Sequence, residues 1–156
     1  MNNKELDTFI KEYCEKYRGP GLLPYAHTEL YDLYPEIVDT NSSKARYEWP
    51  GSWPHPIEGF QKYTHAGVYI FFDKELNVIY VGKASQNSAI FSRLATYFKN
   101  DQDKCLFTRP WWEIKPKYIK LIFMPEGHKF EAPALEEYLI DKIQPYGNSQ
   151  GISEKK

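Results

Sequence analysis

Residues 66–83, AGVYIFFDKELNVIYVGK, constrain the fold more than any other stretch of the chain. Two short runs, Val68–Phe72 and Val78–Val81, are rich in β-branched and aromatic residues, and the polar segment Asp73–Asn77 separates them. That composition around a short polar connection predicts a β-hairpin. Gly67 precedes the first run, Gly82 follows the second, and each run carries a tyrosine, Tyr69 and Tyr80. A four-residue loop at 73–76 would set Phe72 opposite Asn77 and Tyr69 opposite Tyr80, with both phenols on one face. A slip of one residue would put them on different faces. Taken alone, such a tyrosine pair reads first as core packing, so the rest of the chain must decide.

The 156 residues suit one domain with an appendage, and the 42% hydrophobic and 17% aromatic content can support a real core. No run approaches the ~18 apolar residues of a membrane span. The start, MNNKELDTF, has no apolar segment of the signal-peptide kind. Cys14 and Cys105 are too few and too far apart for a disulfide framework or a zinc site, and His27, His55, His65 and His128 show no metal-ligand spacing. These features predict a cytoplasmic protein with reduced thiols. The net charge is −1, but residues 1–60 hold 6 Lys+Arg against 10 Asp+Glu, whereas residues 61–156 hold 14 against 11. The half with the hairpin is therefore mildly basic, which permits a polyanionic partner.

Leu6, Phe9, Ile10, Tyr13, Cys14 and Tyr17 recur at helical steps and predict an amphipathic helix ending before Arg18-Gly19-Pro20. Residues 19–65 are punctuated by prolines 20, 24, 35, 50, 54 and 56, with a helical turn expected at Thr28–Leu33. Trp49, Trp53, Phe60 and Tyr63 give this segment too much apolar weight for a disordered linker. It reads as an irregular wrap over the domain or as an aromatic arm able to stack on bases. After the hairpin, a polar loop leads to a helix expected over Ala89–Lys99, capped by Asn87 or Ser88. Its buried stripe has Arg93 and Tyr97 side by side at the rim. Asn100–Pro116, with Trp111-Trp112, reads as irregular. Lys117–Met124 is a third strand, Pro125–Lys129 a turn, Glu131–Ile143 a helix, and Pro145–Asn148 a closing turn before a polar tail.

On a 100° wheel the last helix sets Leu135, Leu139, Ala132, Ile143, Ile140 and Pro133 on one arc, with Glu136 in its middle and Glu137 on the polar side. A carboxylate turned toward a core costs several kcal/mol unless it is paired or binds a metal. Glu136 thus requires either a buried ion pair, with Arg93 a candidate, or a function.

These residues together resemble the GIY-YIG nuclease family, most of all the N-terminal nuclease module of the bacterial excinuclease. Gly67-Val68-Tyr69 and Tyr80-Val81-Gly82 match the two name-giving motifs, and Lys83-Ala84 follows as in the excision-repair branch. Arg93-Leu94-Ala95-Thr96-Tyr97-Phe98 matches the arginine helix. Glu136 with Leu139-Ile140, Pro145 and Asn148 matches the last motif. The match covers about 66–148. The loop between Gly82 and Arg93 is somewhat longer than in the excision-repair proteins, and Trp111-Trp112 is outside the common core.

The resemblance implies an α/β (α+β) module, a three-stranded antiparallel sheet flanked by helices, over 66–150. An N-terminal extension would occupy 1–65 and a polar tail 151–156. It implies a metal-dependent endonuclease for DNA using Mg²⁺ or Mn²⁺. Tyr69 would be the general base or would orient the attacking water, and Tyr80 would position water or phosphate. Lys83 and Arg93 would offset charge on phosphorus, and Tyr97 would contact the phosphate or a metal-bound water. Glu136 would hold the metal, while Gly67, Gly82 and Asn148 brace the site. Lys83 and Arg93 could favour a Tyr69 phenolate. The alternative is a non-catalytic module that keeps the fold and binds nucleic acid, or a protein through residues 1–60.

Overall fold

The computed structural model describes residues 3–19, 21–22, 24–33, 65–85, 89–101, 104–107 and 112–148. The aromatic segment with Trp49, Trp53, Phe60 and Tyr63, the cap candidates Asn87 and Ser88, Trp111 and the 151–156 tail lie outside the described residues.

The predicted hairpin forms from β3 (Gly67–Phe72) and β4 (Val78–Ala84), and β7 (Tyr118–Phe123) pairs antiparallel with the other side of β3. This is the expected three-stranded core. β3 is central, and every one of its residues is buried because both faces of the sheet are covered. The register differs from the expected one. Tyr69 pairs with Gly82, Phe71 with Tyr80 and Phe72 with Val78, with a bulge between Phe71 and Phe72. The turn is responsible. Asp73 accepts at Oδ1 from the backbone N–H groups of Glu75 (2.9 Å) and Asn77 (2.8 Å), and Leu76 takes φ 66°. Asp73 thereby organises five connecting residues rather than four, and the bulge absorbs the difference. The slip relative to expectation at Tyr69 is two residues, so Tyr69 and Tyr80 still share a face.

The edge of β7 is covered by two short strands from the N-terminal part, β1 (Ala26–His27) and β2 (Tyr31–Asp32). The helical turn expected at Thr28–Leu33 is therefore replaced by strand pairing. Its backbone groups bond to β7 and the residue before it, with Thr28 N–H on Leu121 O and Leu33 N–H on Lys117 O. Thr28 Oγ1 also accepts from Leu121 N–H at 3.0 Å. Lys117 and Asp32 add an ion pair.

The first helix runs as predicted, α1 (Asn3–Tyr17). It packs with α3 (Glu131–Ile143) on the sheet face that carries Val68, Ile70, Phe72 and Val81. Leu6, Leu135 and Leu139 are fully buried there. The opposite face carries Tyr69, Phe71 and Leu121, and is covered by α2 (Ile90–Leu94), Tyr97, Phe98, Phe107 and Trp112. The helix expected to reach Lys99 is cut short. A 3-10 turn takes Ala95–Tyr97, and Phe98–Asp101 becomes β5, paired with β6 (Lys104–Phe107). Thr96, Tyr97 and Phe98 are β-branched or aromatic, so they yield readily to extended backbone. Ala89 at the N-cap position offers no side-chain cap to strengthen the helix at its other end. Part of the stretch read as irregular is thus a second hairpin.

Candidate active site

The site is built around a tyrosine presented by the central strand. Tyr69 is 1% exposed, and its hydroxyl lies 3.0 Å from that of Tyr97 at the end of the 3-10 turn. Tyr80, on β4, is only partly buried. Its ring stacks on Tyr69 at 6.2 Å between centroids and 26° between planes, and lies 5.8 Å from that of Tyr97. Tyr69 and Tyr97 meet edge to face at 5.7 Å. The three phenols predicted as site residues therefore stand together.

The glycines make this possible. Gly82 lies across the ladder from Tyr69, and a Cβ there would overlap the Cζ, Cε2 and Oη atoms of the ring. A Cβ at Gly67 would collide with the Ile122 carbonyl oxygen of the neighbouring strand. Asn148 braces β4 from outside. Its side chain accepts from Val81 N–H at 2.9 Å and donates to Val81 O at 2.8 Å, as a neighbouring strand would. Gly147 N–H adds a bond of 2.7 Å to Ile79 O.

Arg93 comes from α2 and its guanidinium lies against the Tyr69 phenol. That hydrogen bond, then the charge attraction to Tyr69, holds Arg93 above its ordinary pKa. Lys83 alternates away from Tyr80 and Gly82 along β4, toward the side of α3. Its Nζ donates to Ser85 Oγ at 3.3 Å. Glu136 stands on α3 within the fields of Lys83, Glu137 and Arg93. The predicted residues thus straddle β4, with the tyrosines and Arg93 on one face and Lys83 with Glu136 on the other.

Glu136 is half-buried, while Glu137 is exposed, as the wheel indicated. Burial raises the Glu136 carboxyl above its ordinary value, against the pull of Lys83. It makes no hydrogen bond or ion pair among the described residues, so a buried bridge to Arg93 is not what holds it. The buried bridge lies elsewhere. Arg18 Nε meets Glu131 Oε1 at 2.7 Å, with both side chains under 10% exposed, and Tyr25 donates to the same oxygen at 3.1 Å. Neither Arg18 nor Glu131 stood out in the sequence.

Burial pushes all three phenols up. For Tyr69 the Tyr80 phenol adds to this, and hydrogen bonding to Tyr97 and Arg93 recovers only part of it. The expectation that Lys83 and Arg93 would favour a Tyr69 phenolate is therefore reversed. Desolvation outweighs the nearby cations.

Among the described residues no three His, Cys, Asp or Glu side chains form a metal-holding group. A half-buried carboxylate without a bond of its own, flanked by Lys83 and Arg93, fits a divalent cation as its single protein ligand, with oxygen donors from substrate and water completing the shell. One residue escaped the sequence reading altogether. Trp112 is 7% exposed and lies against Tyr80 at 5.1 Å and Tyr97 at 6.2 Å. Its place between two strands gave no periodic signal. No helix among the described residues is long and apolar enough to cross a membrane.

Residues 65–149 match the model of the UvrC-like GIY-YIG domain. The chain is similar to the UvrABC system protein C of Dictyoglomus thermophilum, 36% identical over 94 residues, which is 60% of this chain and 14% of that protein. It is also similar to the UvrABC system protein C of Methanosphaera stadtmanae, 39% identical over 83 residues, 53% of this chain and 13% of that protein. No solved structure gives a significant match. With more than half of its residues matched, and with both tyrosine motifs, the arginine, the glutamate and the asparagine at the sheet edge, the chain belongs to the UvrC-like GIY-YIG family of nucleases.

Proposed function

We propose that the chain is a metal-dependent endonuclease that hydrolyses phosphodiester bonds in DNA. One observation carries this reading. Tyr69, Tyr80, Tyr97 and Arg93 converge at β4, and Glu136 lies in the electrostatic field of Arg93 and Lys83 while bonding to neither. Half-burying a carboxylate without a direct partner is costly for a purely structural residue.

In this reading Tyr69 acts as a neutral phenol. Its raised pKa disfavours the phenolate, so its hydroxyl orients the attacking water instead of taking its proton. Tyr97, bonded to Tyr69, fixes the direction of that hydroxyl. Tyr80 is the more accessible phenol and contacts the phosphate or the water. Arg93 and Lys83 offset the negative charge that grows on the phosphoryl oxygens as the water oxygen bonds to phosphorus and the bond to the leaving sugar oxygen breaks. Glu136 would hold the divalent cation, Mg²⁺ or Mn²⁺, which when bound polarises the phosphate and stabilises the leaving oxygen.

The test is a cleavage panel of supercoiled plasmid, linear duplex, single strand, branched DNA and RNA, with Mg²⁺, Mn²⁺ or EDTA. Nicking that requires metal and disappears in Glu136→Ala supports the reading. A folded protein that binds but cuts none of these substrates would instead assign a binding module.

A further inference from the structure

We propose that Trp112 is a positioning residue for the nuclease site: it fixes the rings of Tyr80 and Tyr97, and so the two hydroxyls, other than that of Tyr69, that face the substrate. This rests on the nuclease reading above and adds a residue that the motifs do not contain.

Trp112 touches an almost wholly aromatic surface. Its ring lies 5.1 Å from Tyr80 and 5.2 Å from Phe107, and 6.2 Å from both Tyr97 and Phe71. Tyr80 is the least buried of the site phenols and has the most freedom to lose. One side of its ring stacks on Tyr69, and Trp112 packs against it at 37°. The indole is itself held. Lys115 Nζ donates to the Trp112 carbonyl at 2.7 Å, and the next backbone N–H, that of Glu113, donates to Tyr146 Oη at 2.5 Å. Tyr146 belongs to the same turn whose Gly147 and Asn148 grip Ile79 and Val81, the neighbours of Tyr80 on β4. One turn therefore holds the strand that carries Tyr80 and tethers the loop that packs against its ring. Catalytic groups displaced by about 1 Å can lose about 100-fold in rate, so a ring clamp of this kind acts on turnover more than on binding.

The test compares Trp112→Ala, Trp112→Leu and Trp112→Phe with wild type on the cleaved substrate, each confirmed folded by circular dichroism at the assay temperature. A second readout is the ¹⁹F spectrum of protein labelled with 3-fluorotyrosine, with the Tyr80 resonance identified by its loss in Tyr80→Phe. The proposal expects kcat to fall at least about tenfold in Trp112→Ala with KM within about threefold, and Trp112→Phe to recover most of it. The Tyr80 resonance should move in Trp112→Ala and return in Trp112→Phe. If Trp112→Ala does not fold, Trp112→Leu takes its place in both measurements. A folded variant that cuts within about twofold of wild type, or an unmoved Tyr80 resonance, overturns the proposal. If wild type cuts nothing, the nuclease reading fails, and the resonance alone decides whether Trp112 sets the Tyr80 ring.

Discussion

Tyr69 and Gly82 face each other across the β3–β4 ladder, and the phenol lies over the glycine in the space a side chain would need. The second glycine of the motif pair is thus a steric requirement of the first tyrosine. Gly82→Ala must push the ring away or shift the strand. Overpacking of this kind costs about 1–3 kcal/mol, and the displaced hydroxyl loses its 3.0 Å partner on Tyr97. The expected result is a thermal midpoint lowered by several degrees and cleavage reduced at least about 100-fold. Calorimetry and a nicking assay on the same sample check both.

Asn148 completes the outer edge of β4 with a donor and an acceptor in one side chain. Asn148→Ala removes both bonds and is expected to cost about 1–3 kcal/mol. Asn148→Asp keeps the acceptor for Val81 N–H but sets an anionic oxygen against Val81 O. It should be no more stable than Asn148→Ala at neutral pH and should recover on acidification. Denaturant titrations at two pH values distinguish the pair.

The Arg18–Glu131 pair ties the end of α1 to the start of α3. Burial alone would raise the Glu131 carboxyl, but hydrogen bonds from Arg18 and Tyr25 hold it below its ordinary value of 4.5. A depressed folded-state pKa contributes stability above the unfolded value and loses it as pH falls through the folded one. Stability should therefore drop below about pH 4.5 as this carboxylate takes up its proton. Arg18→Met leaves a buried charge without its partner and should cost about 3–5 kcal/mol at neutral pH. It should also flatten that acid limb. Unfolding free energies measured across about pH 3 to 7 in both proteins test this.

Leu6 and Leu33 are fully buried, and β1 and β2 cover the edge of β7. Residues 65–149 produced alone would expose that edge and one face of α3, surfaces prone to association. That fragment is expected to aggregate or to unfold at markedly lower denaturant than the full chain. Size-exclusion chromatography and urea titration of both would show it.

Much of the fold was legible because local rules and tertiary structure agree. The hairpin follows from two β-rich runs around a polar turn, and α3 follows from an unbroken apolar arc. Glu136 stood out because it lies within that arc. What the sequence hid depends on longer-range contacts. The register turned on the Asp73 side chain organising its own loop. The helix at 90 ended early because Phe98 found a strand partner in Phe107. Thr28–Leu33 became strand because β7 presented an open edge. The rise in the Tyr69 pKa came from burial on a central strand, which no linear motif reveals.

The most direct measurement is single-turnover nicking of supercoiled plasmid in Mg²⁺ by wild type, Glu136→Gln and Tyr69→Phe, alongside their thermal midpoints in EDTA. Glu136→Gln removes a partly desolvated charge, so its stability should match wild type or exceed it by up to about 1 kcal/mol. Tyr69→Phe keeps the ring and loses one hydrogen bond, for a cost of about 1 kcal/mol. The account requires both variants to be folded and to cut at least about 1,000-fold more slowly than wild type. A folded Glu136→Gln or Tyr69→Phe that nicks at the wild-type rate would contradict it.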